Sequence, residues 1–361
     1  MAQKVVVVGA GIVGASFAWH LAQAGAAVTV IEAAGIASAA TEKSFGWINA
    51  SFSETPAYFA LRMAGIEAWR EMGDALGPEA GLRWGGSLWW EEAGDALETQ
   101  AAALRDLNYD MEVVGKNRVM AMVPGLAQAP DAAIHVRCEG AVDMAAATRR
   151  MLDGAVGMGA KVLVGVALQG VEAPGGRARA ALTSHGRIEA DAVVLATGAA
   201  SGAVLAALDF GLPMDNKRGM ILHTAPTAPL LEPIVLAPGV HVRQATDGHL
   251  VVGEIFSGDG PGAARLATDP AGLAAEVMAR LAALLPATRG LALERVMLGT
   301  RPVPGDGFPA VGPVPGIDGL YLATMHSGIT LAPVIGQLGA AEVMGGPDAA
   351  LLAPYRPARF A

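Results

Sequence analysis

The chain has 361 residues, 53% hydrophobic and 16% charged, enough apolar sequence for two domains with substantial cores and too apolar for a disordered chain. Its net charge of −9 at pH 7 argues against nucleic acid or an anionic membrane as the main partner, so a small anionic ligand would need a locally cationic pocket. A lone cysteine, Cys138, excludes an intramolecular disulfide.

Val5 to Val8 is too apolar for a half-exposed strand and predicts one buried on both faces of a parallel sheet. Gly9, Gly11 and Gly14 follow in a G-x-G-x-x-G turn. Gly9 allows the tight turn, Gly11 lets backbone approach a pyrophosphate, and Gly14 lets a helix lie close to the sheet. That helix should span 12–24 and stop at Gly25. A second strand, 28–32, ends in Glu32, placed for a carboxylate that accepts from ribose hydroxyls and repels a 2′-phosphate. Strand, glycine turn, helix, strand and acid in this order predict a bound dinucleotide and disfavour NADP. A nicotinamide-dependent dehydrogenase shares the same fingerprint.

Residues 35–49 form a small-residue loop expected to run back beside the nucleotide. Residues 56–76 predict a helix with Phe59, Met63, Ile66 and Trp69 on one face. Residues 82–137 mix short strands with a polar helix over 93–107. Asp143 caps a helix running to about Gly157. Strands are expected at 160–166, 168–172, 190–198, 219–224, 240–244 and 249–254, and a helix at 270–285. Residues 298–312 read as a Pro/Gly-rich hinge, 319–324 as the last strand and 334–344 as a closing helix. There is no internal repeat, and no two of the seven histidines show metal-ligand spacing. The opening Met1-Ala-Gln-Lys leads straight into a core strand, which leaves no signal peptide, and no apolar run suits a membrane span. A cytoplasmic protein is the expectation.

Four segments in fixed order resemble the flavin-dependent amine and amino-acid oxidoreductases, the group of D-amino-acid oxidase and dehydrogenase, glycine oxidase and sarcosine oxidase. They are Gly9–Gly14 with Glu32, 192–198, 299–312 and 319–333. The C-terminal pair is the more specific, because many nicotinamide enzymes share only the first. The resemblance implies an α/β fold with a discontinuous Rossmann-type FAD-binding domain (1–81, 141–215 and 298–361). Residues 82–140 and 216–297 would form a substrate domain around a mixed, mainly antiparallel sheet. The implied cofactor is FAD, held non-covalently: no histidine lies between His20 and His135, and Cys138 is the only thiol. Carried over by residue, Gly9, Gly11, Ile12, Val13 and Gly14 serve the pyrophosphate, Glu32 and Ala33 the ribose, and Leu168 the adenine. Thr197 and Gly198 edge the cofactor. Thr41, Lys43 and Ser44, with His326, Ser327, Gly328, Ile329 and Thr330, approach the ribityl chain and isoalloxazine. Backbone N–H groups near Gly328 would favour negative charge on the reduced ring.

The resemblance also implies that Arg301, in Gly299-Thr-Arg-Pro302, borders the flavin and holds a substrate carboxylate through its fork. His241 and Arg243 share one face of a strand, and His241 aligns with a substrate-site tyrosine of glycine oxidase-like enzymes. Both are candidate substrate ligands, with a solvated strand face as the alternative, and His241 is placed to take the ammonium proton. Lys43 and Arg218 are secondary candidates. The implied reaction moves a hydride from Cα to flavin N5 and yields an imine that hydrolyses, with no obligatory base. Val251 or Val252 stands where sarcosine oxidase-like enzymes carry a lysine that promotes reaction with oxygen. A dehydrogenase passing electrons to a quinone or protein therefore competes with an oxidase, and a non-catalytic flavin-binding subunit is the alternative function.

Overall fold

The computed structural model describes residues 2–253 and 260–361. One sheet has six strands in the order Ala310–Pro313, Leu320–Thr324, Ala192–Leu195, Lys4–Val8, Ala27–Glu32 and Lys161–Val164. All neighbours are parallel except the first pair. The opening strand is central because its side chains suit no edge. Val5 and Val7 enter one core while Val6 and Val8 enter another on the opposite face. Each such burial stabilises by roughly 1.5–3 kcal/mol relative to exposure. Helices Ile12–Gln23, Met144–Gly157 and Gly328–Val343 cover one face. A three-stranded antiparallel sheet, Leu168–Glu172, Ala180–Thr183 and Gly186–Glu189, helps to cover the other.

The second large sheet has eight strands. Their order is Leu293–Arg301, Lys217–Pro226, His249–Gly253, Val240–Gln244, Ile234–Ala237, Ser87–Trp89, Ala132–Val136 and Met111–Gly115. Only Ile234–Ala237 against Ser87–Trp89 is parallel. Val240, Val242, Val252 and Leu222 pack with Val277 and Leu281 of helix Pro270–Leu284. The opposite face carries a cross-strand row, Trp89, Leu236, His241, Gly253, Ile221 and Met297, one residue per strand. Trp89 and Leu236 of that row belong to the core shared with the helices that cover the six-stranded sheet.

The expected elements need four adjustments. The segment read as a hinge opens as the end of a strand, since Leu293–Arg301 pairs along Lys217–Pro226 with Arg301 opposite Lys217. Pro302 lacks the N–H that would continue the ladder, so pairing stops there. That strand also spans residue 298, the expected domain boundary. Second, the closing helix begins at Gly328 rather than 334 and contains Pro333. Proline cannot donate to the carbonyl four residues back, and Trp69 Nε1 donates to Ile329 O instead (2.7 Å). Third, helix Pro56–Leu76 buries Tyr58, Leu61, Arg62, Gly65, Ile66 and Trp69, leaving Phe59 and Met63 half-buried. Gly65 is required: a Cβ there would lie 2.5 Å from Thr330 O. Fourth, the strands Ala180–Thr183, Gly186–Glu189 and Ile234–Ala237 were not expected, although Pro238-Gly239 marks the turn after the last of them. The expected strand end at Glu254 lies outside the described residues.

Candidate active site

The three glycines of the opening turn do two different jobs. A Cβ on Gly9 would lie 2.5 Å from Ala196 O, and φ at Gly9 is +105°. A Cβ on Gly14 would lie 1.9 Å from Gly9 O, so the helix and strand pack at backbone contact. At Gly11 a Cβ would meet only the Thr41 hydroxyl, at 3.1 Å. Packing therefore demands glycine at 9 and 14, while Gly11 leaves a cradle at the helix N-terminus that fits a pyrophosphate. Thr41 Oγ1 accepts from Ile12 N (3.1 Å), and Ala37 N donates to Ala10 O (3.0 Å). The loop after the second strand thus returns to the glycine turn, and Thr41 meets Gly11 and Ile12 at the start of the helix.

Glu32 accepts from Ala10 N and from Ala34 N, both at 2.8 Å, which pins its carboxylate beside the turn with exposed Ala33 between the two. Its carbonyl accepts from Val166 N (2.9 Å), bringing the segment before Leu168 alongside. Leu168 itself is half-buried against the core beneath the three-stranded sheet. Thr197 Oγ1 shares a hydrogen bond with Ser201 (2.9 Å), and Gly198 O accepts from Thr324 (3.2 Å).

Ser327 takes the left-handed conformation (φ 55°), at a cost of roughly 1 kcal/mol for a non-glycine, and starts the closing helix. Leu331 N is the first backbone donor returned to the helix, to Ser327 O (3.1 Å), so the N–H groups of Gly328, Ile329 and Thr330 lie at its positive end. A Cβ on Gly328 would lie 3.6 Å from Val13 Cγ2, so two helix N-termini are adjacent. Thr330 Oγ1 accepts from Asn49 N (3.2 Å). Ser44 Oγ accepts from Gly46 N (3.2 Å), and Lys43 lies over Gly299, where a Cβ would be 2.8 Å from Lys43 Cβ.

Cations gather beside this helix start. The Arg301 guanidinium lies over Gly219, whose Cβ would be 3.1 Å from Nη2, and burial holds Arg301 below its ordinary range. His326 is exposed at the start of the closing helix. Desolvation first, then Arg301, Arg62 and Lys217, push its imidazole down to about 4. Arg62 is buried and donates to Asn49 O (3.0 Å), Phe52 O (2.6 Å) and Asn49 Oδ1.

On the sheet face, His241 Nε2 meets Glu91 Oε1, and its ring sits edge-on to Phe45 at 6.3 Å. Arg243 shares this face, but its guanidinium is engaged inside the protein. It donates to Phe45 O and Val142 O and is held down to about 10 by burial. Arg218 lies exposed on the other face from Lys217 and Arg301. Glu139 is a fully buried hub that accepts from Trp47 Nε1 (2.9 Å), Ala50 N (3.3 Å), Ser51 (2.5 Å), Ser87 (2.5 Å) and Tyr109 (2.7 Å). Burial pushes its carboxyl up and the hydroxyl donors oppose that. It ties the 47–51 segment to the large sheet.

The chain matches the family model of the FAD dependent oxidoreductases over residues 4–342. It belongs to that family. It is 31% identical to a glycine oxidase of Pseudomonas aeruginosa across 99% of both chains. The structure of iminodiacetate oxidase from Chelativorans sp. BNC1 superposes with a TM-score of 0.84 at 28% identity, covering 98% of each chain. Glycine oxidase from Geobacillus kaustophilus shares the fold, with a TM-score of 0.88 at 24% identity over 98% of each chain. This is accordingly an FAD-dependent amino-acid oxidoreductase, and the cradle, the pinned Glu32 and the paired helix N-termini fit the flavin nucleotide.

Sequence reasoning missed Arg62, Glu91, Asn49 and Glu139. Arg62 carried a readable signal, since it stands four residues from both Tyr58 and Ile66 on the buried face of its helix. The others had none: their partners lie far off in the chain. Among the described residues no group of His, Cys, Asp and Glu could hold a metal ion, and no helix is long and apolar enough to cross a membrane.

Proposed function

We propose that this enzyme oxidises the C–N bond of a small amino acid or secondary amine that carries a carboxylate, and that Arg301 holds that carboxylate. The observation that carries the reading is a concentrated positive field in an acidic protein. Desolvation first, and then the charges of Arg301, Arg62 and Lys217, hold the His326 imidazole down to about 4. Bound FAD supplies the two-electron acceptor. What the chain supplies is orientation. The Arg301 fork offers two parallel charge-assisted bonds, which fix Cα as well as affinity. Neutral His326 lines the cleft without competing for the anion. The N–H groups of Gly328 to Thr330 bring a helix dipole to bear on charge that accumulates beside them.

Further parts of the reading rest on particular residues. The flavin is held without a covalent link, for the Cys138 thiol is pushed up to about 11 by burial and sits beside the Tyr109–Glu139 network. A quinone or protein competes with oxygen as the electron acceptor, because Val251 and Val252 are fully buried and offer no ammonium group. The compartment is the cytoplasm, on the single cysteine. The FAD domain comprises 1–81, 141–215 and 298–361, with the Leu293–Arg301 strand crossing to the substrate sheet.

The test is anaerobic bleaching of the flavin bands by glycine, sarcosine, iminodiacetate and the two enantiomers of alanine and proline. At least one should reduce the FAD. Arg301→Ala should then raise the KM of that substrate roughly 10- to 100-fold, with less effect on the matching amine lacking a carboxylate. A flavin that none of these compounds reduces defeats the enzymatic reading, and an unchanged KM defeats the role of Arg301.

A further inference from the structure

We propose that Glu91 is a positioning residue that fixes the tautomer of His241, so that His241 Nδ1 accepts the proton of the substrate ammonium before oxidation. The inference rests on the amine-oxidising reading above and deepens it.

Hydride can leave Cα only if the neighbouring nitrogen has a lone pair to form the C=N bond. An ammonium has none. A group must therefore take one proton from a substrate that arrives protonated. Glu91 Oε1 lies against His241 Nε2, and a carboxylate can only accept, so the shared proton belongs to Nε2. Nδ1 is then the basic nitrogen. Among the described residues nothing bonds Nδ1, and it is not sealed from solvent. Both side chains are mostly enclosed, His241 at 15% exposure and Glu91 at 14%, so the pair is sheltered from competing water.

The surroundings aim the ring toward the nucleotide side. His241 stands in the cross-strand row between Leu236 and Gly253, on the face opposite the Val240 and Val242 core. Gly253 leaves room beside it, and Phe45, from the loop that carries Lys43 over Gly299, closes the edge. The charged groups on the neighbouring elements are Glu91 from the segment after Ser87–Trp89, Arg243 on the same strand and Lys43 from the loop. Arg243 is bound to the carbonyls of Phe45 and Val142. Leu236 and Gly253, directly opposite, do not titrate.

In the step itself an N–H bond of the ammonium breaks, its electron pair stays on nitrogen, and the proton bonds to Nδ1. The imidazolium is balanced by Glu91, and the proton later leaves to solvent. No oxidant is consumed in this transfer. The two electrons leave Cα only afterwards, to the flavin that the family's activity provides.

Two measurements test the proposal. Nitrogen-15 NMR of histidine-labelled holoenzyme, with His241 assigned by its loss in His241→Gln, should show the Nε2–H tautomer, and Glu91→Gln should shift it toward a mixture. An Nδ1–H tautomer in the unaltered protein overturns the proposal without reference to activity. The second measurement is flavin reduction against pH, with whichever of glycine, sarcosine or iminodiacetate reduces the unaltered enzyme. Reduction by none of them is a failure of the amine-oxidising reading, and the NMR arm still decides the tautomer. His241→Gln should slow reduction about 100-fold at neutral pH and recover as rising pH deprotonates the amine in solution. Glu91→Gln should lose about tenfold with the same alkaline recovery, and Glu91→Asp should regain part of it. Binding of glycolate, which has a carboxylate and no amine, should be unchanged in all three. A loss equal at every pH, or a Glu91→Gln profile matching the unaltered enzyme, overturns the proposal.

Discussion

The glycine cradle and the eight-stranded sheet are built on opposite plans. Most of the cradle comes from one stretch of backbone: a strand, three glycines, a helix and an acid within the first 32 residues. The sheet face is assembled from six strands, and its row runs through residues 89, 236, 241, 253, 221 and 297. A cradle made of backbone shape tolerates almost no added atoms. A face made of side chains can be rewritten one residue at a time without touching the fold.

The sharpest way to break this comparison lies within the cradle. Gly14→Val must displace backbone, because even its Cβ would overlap Gly9 O, and we expect a loss of more than about 3 kcal/mol or no folded protein. Gly11→Ala meets only a hydroxyl, so its apo melting temperature should stay near that of the unaltered chain while FAD affinity falls by at least roughly tenfold. Equal melting losses in the two variants would refute the division between packing and cradle glycines. Calorimetry and flavin content separate them.

Glu139 joins the two regions. Glu139→Ala would strand four of the five donors that now converge on one carboxylate, since Ala50 N keeps Tyr109 Oη as acceptor (3.1 Å), at a cost of about 3–5 kcal/mol in urea unfolding. A loss below about 1 kcal/mol would mean water replaces the carboxylate, and the hub would not be a structural tie. A smaller effect belongs to the closing helix. Trp69→Phe leaves Ile329 O without its donor and should cost about 1–3 kcal/mol, seen as earlier unfolding and weaker flavin retention.

The smallest effect is one of pH on the eight-stranded sheet. His223 is held at about 4 by burial first and then by Arg295, below the ordinary value near 6.5. Between those values the unfolded chain takes up a proton that the folded chain refuses. Stability therefore falls as pH drops from about 6.5 to about 4 and levels off below, by less than about 1.4 kcal/mol per pH unit. His223→Gln should flatten that part of the urea-stability profile. An unchanged slope would show that the imidazole is free to protonate in the folded sheet.

Much of the cradle was legible because its causes are local. Consecutive valines, glycine spacing and Asp143 three residues before Ala146 N each act within a few positions of themselves. Helix 56–76 and the strand at 240–244 were legible for the same reason. The closing helix start was not, because Pro333 argues against a helix until Trp69 is seen to satisfy the freed carbonyl. Nor was the fate of Arg243, whose partners Phe45 and Val142 are about 200 and 100 residues away.

By itself, then, the sequence determined the βαβ unit, the acid at its end, and the family to which four ordered segments point. Local backbone sterics and side-chain periodicity suffice for these. Only the tertiary structure decided which polar groups are buried anchors and which pair with one another: Arg243 and Glu139 inward, His241 with Glu91, and Arg301 beside His326. A charged side chain's role depends on what desolvates and pairs it, and those neighbours come from strands that pair across long stretches of chain.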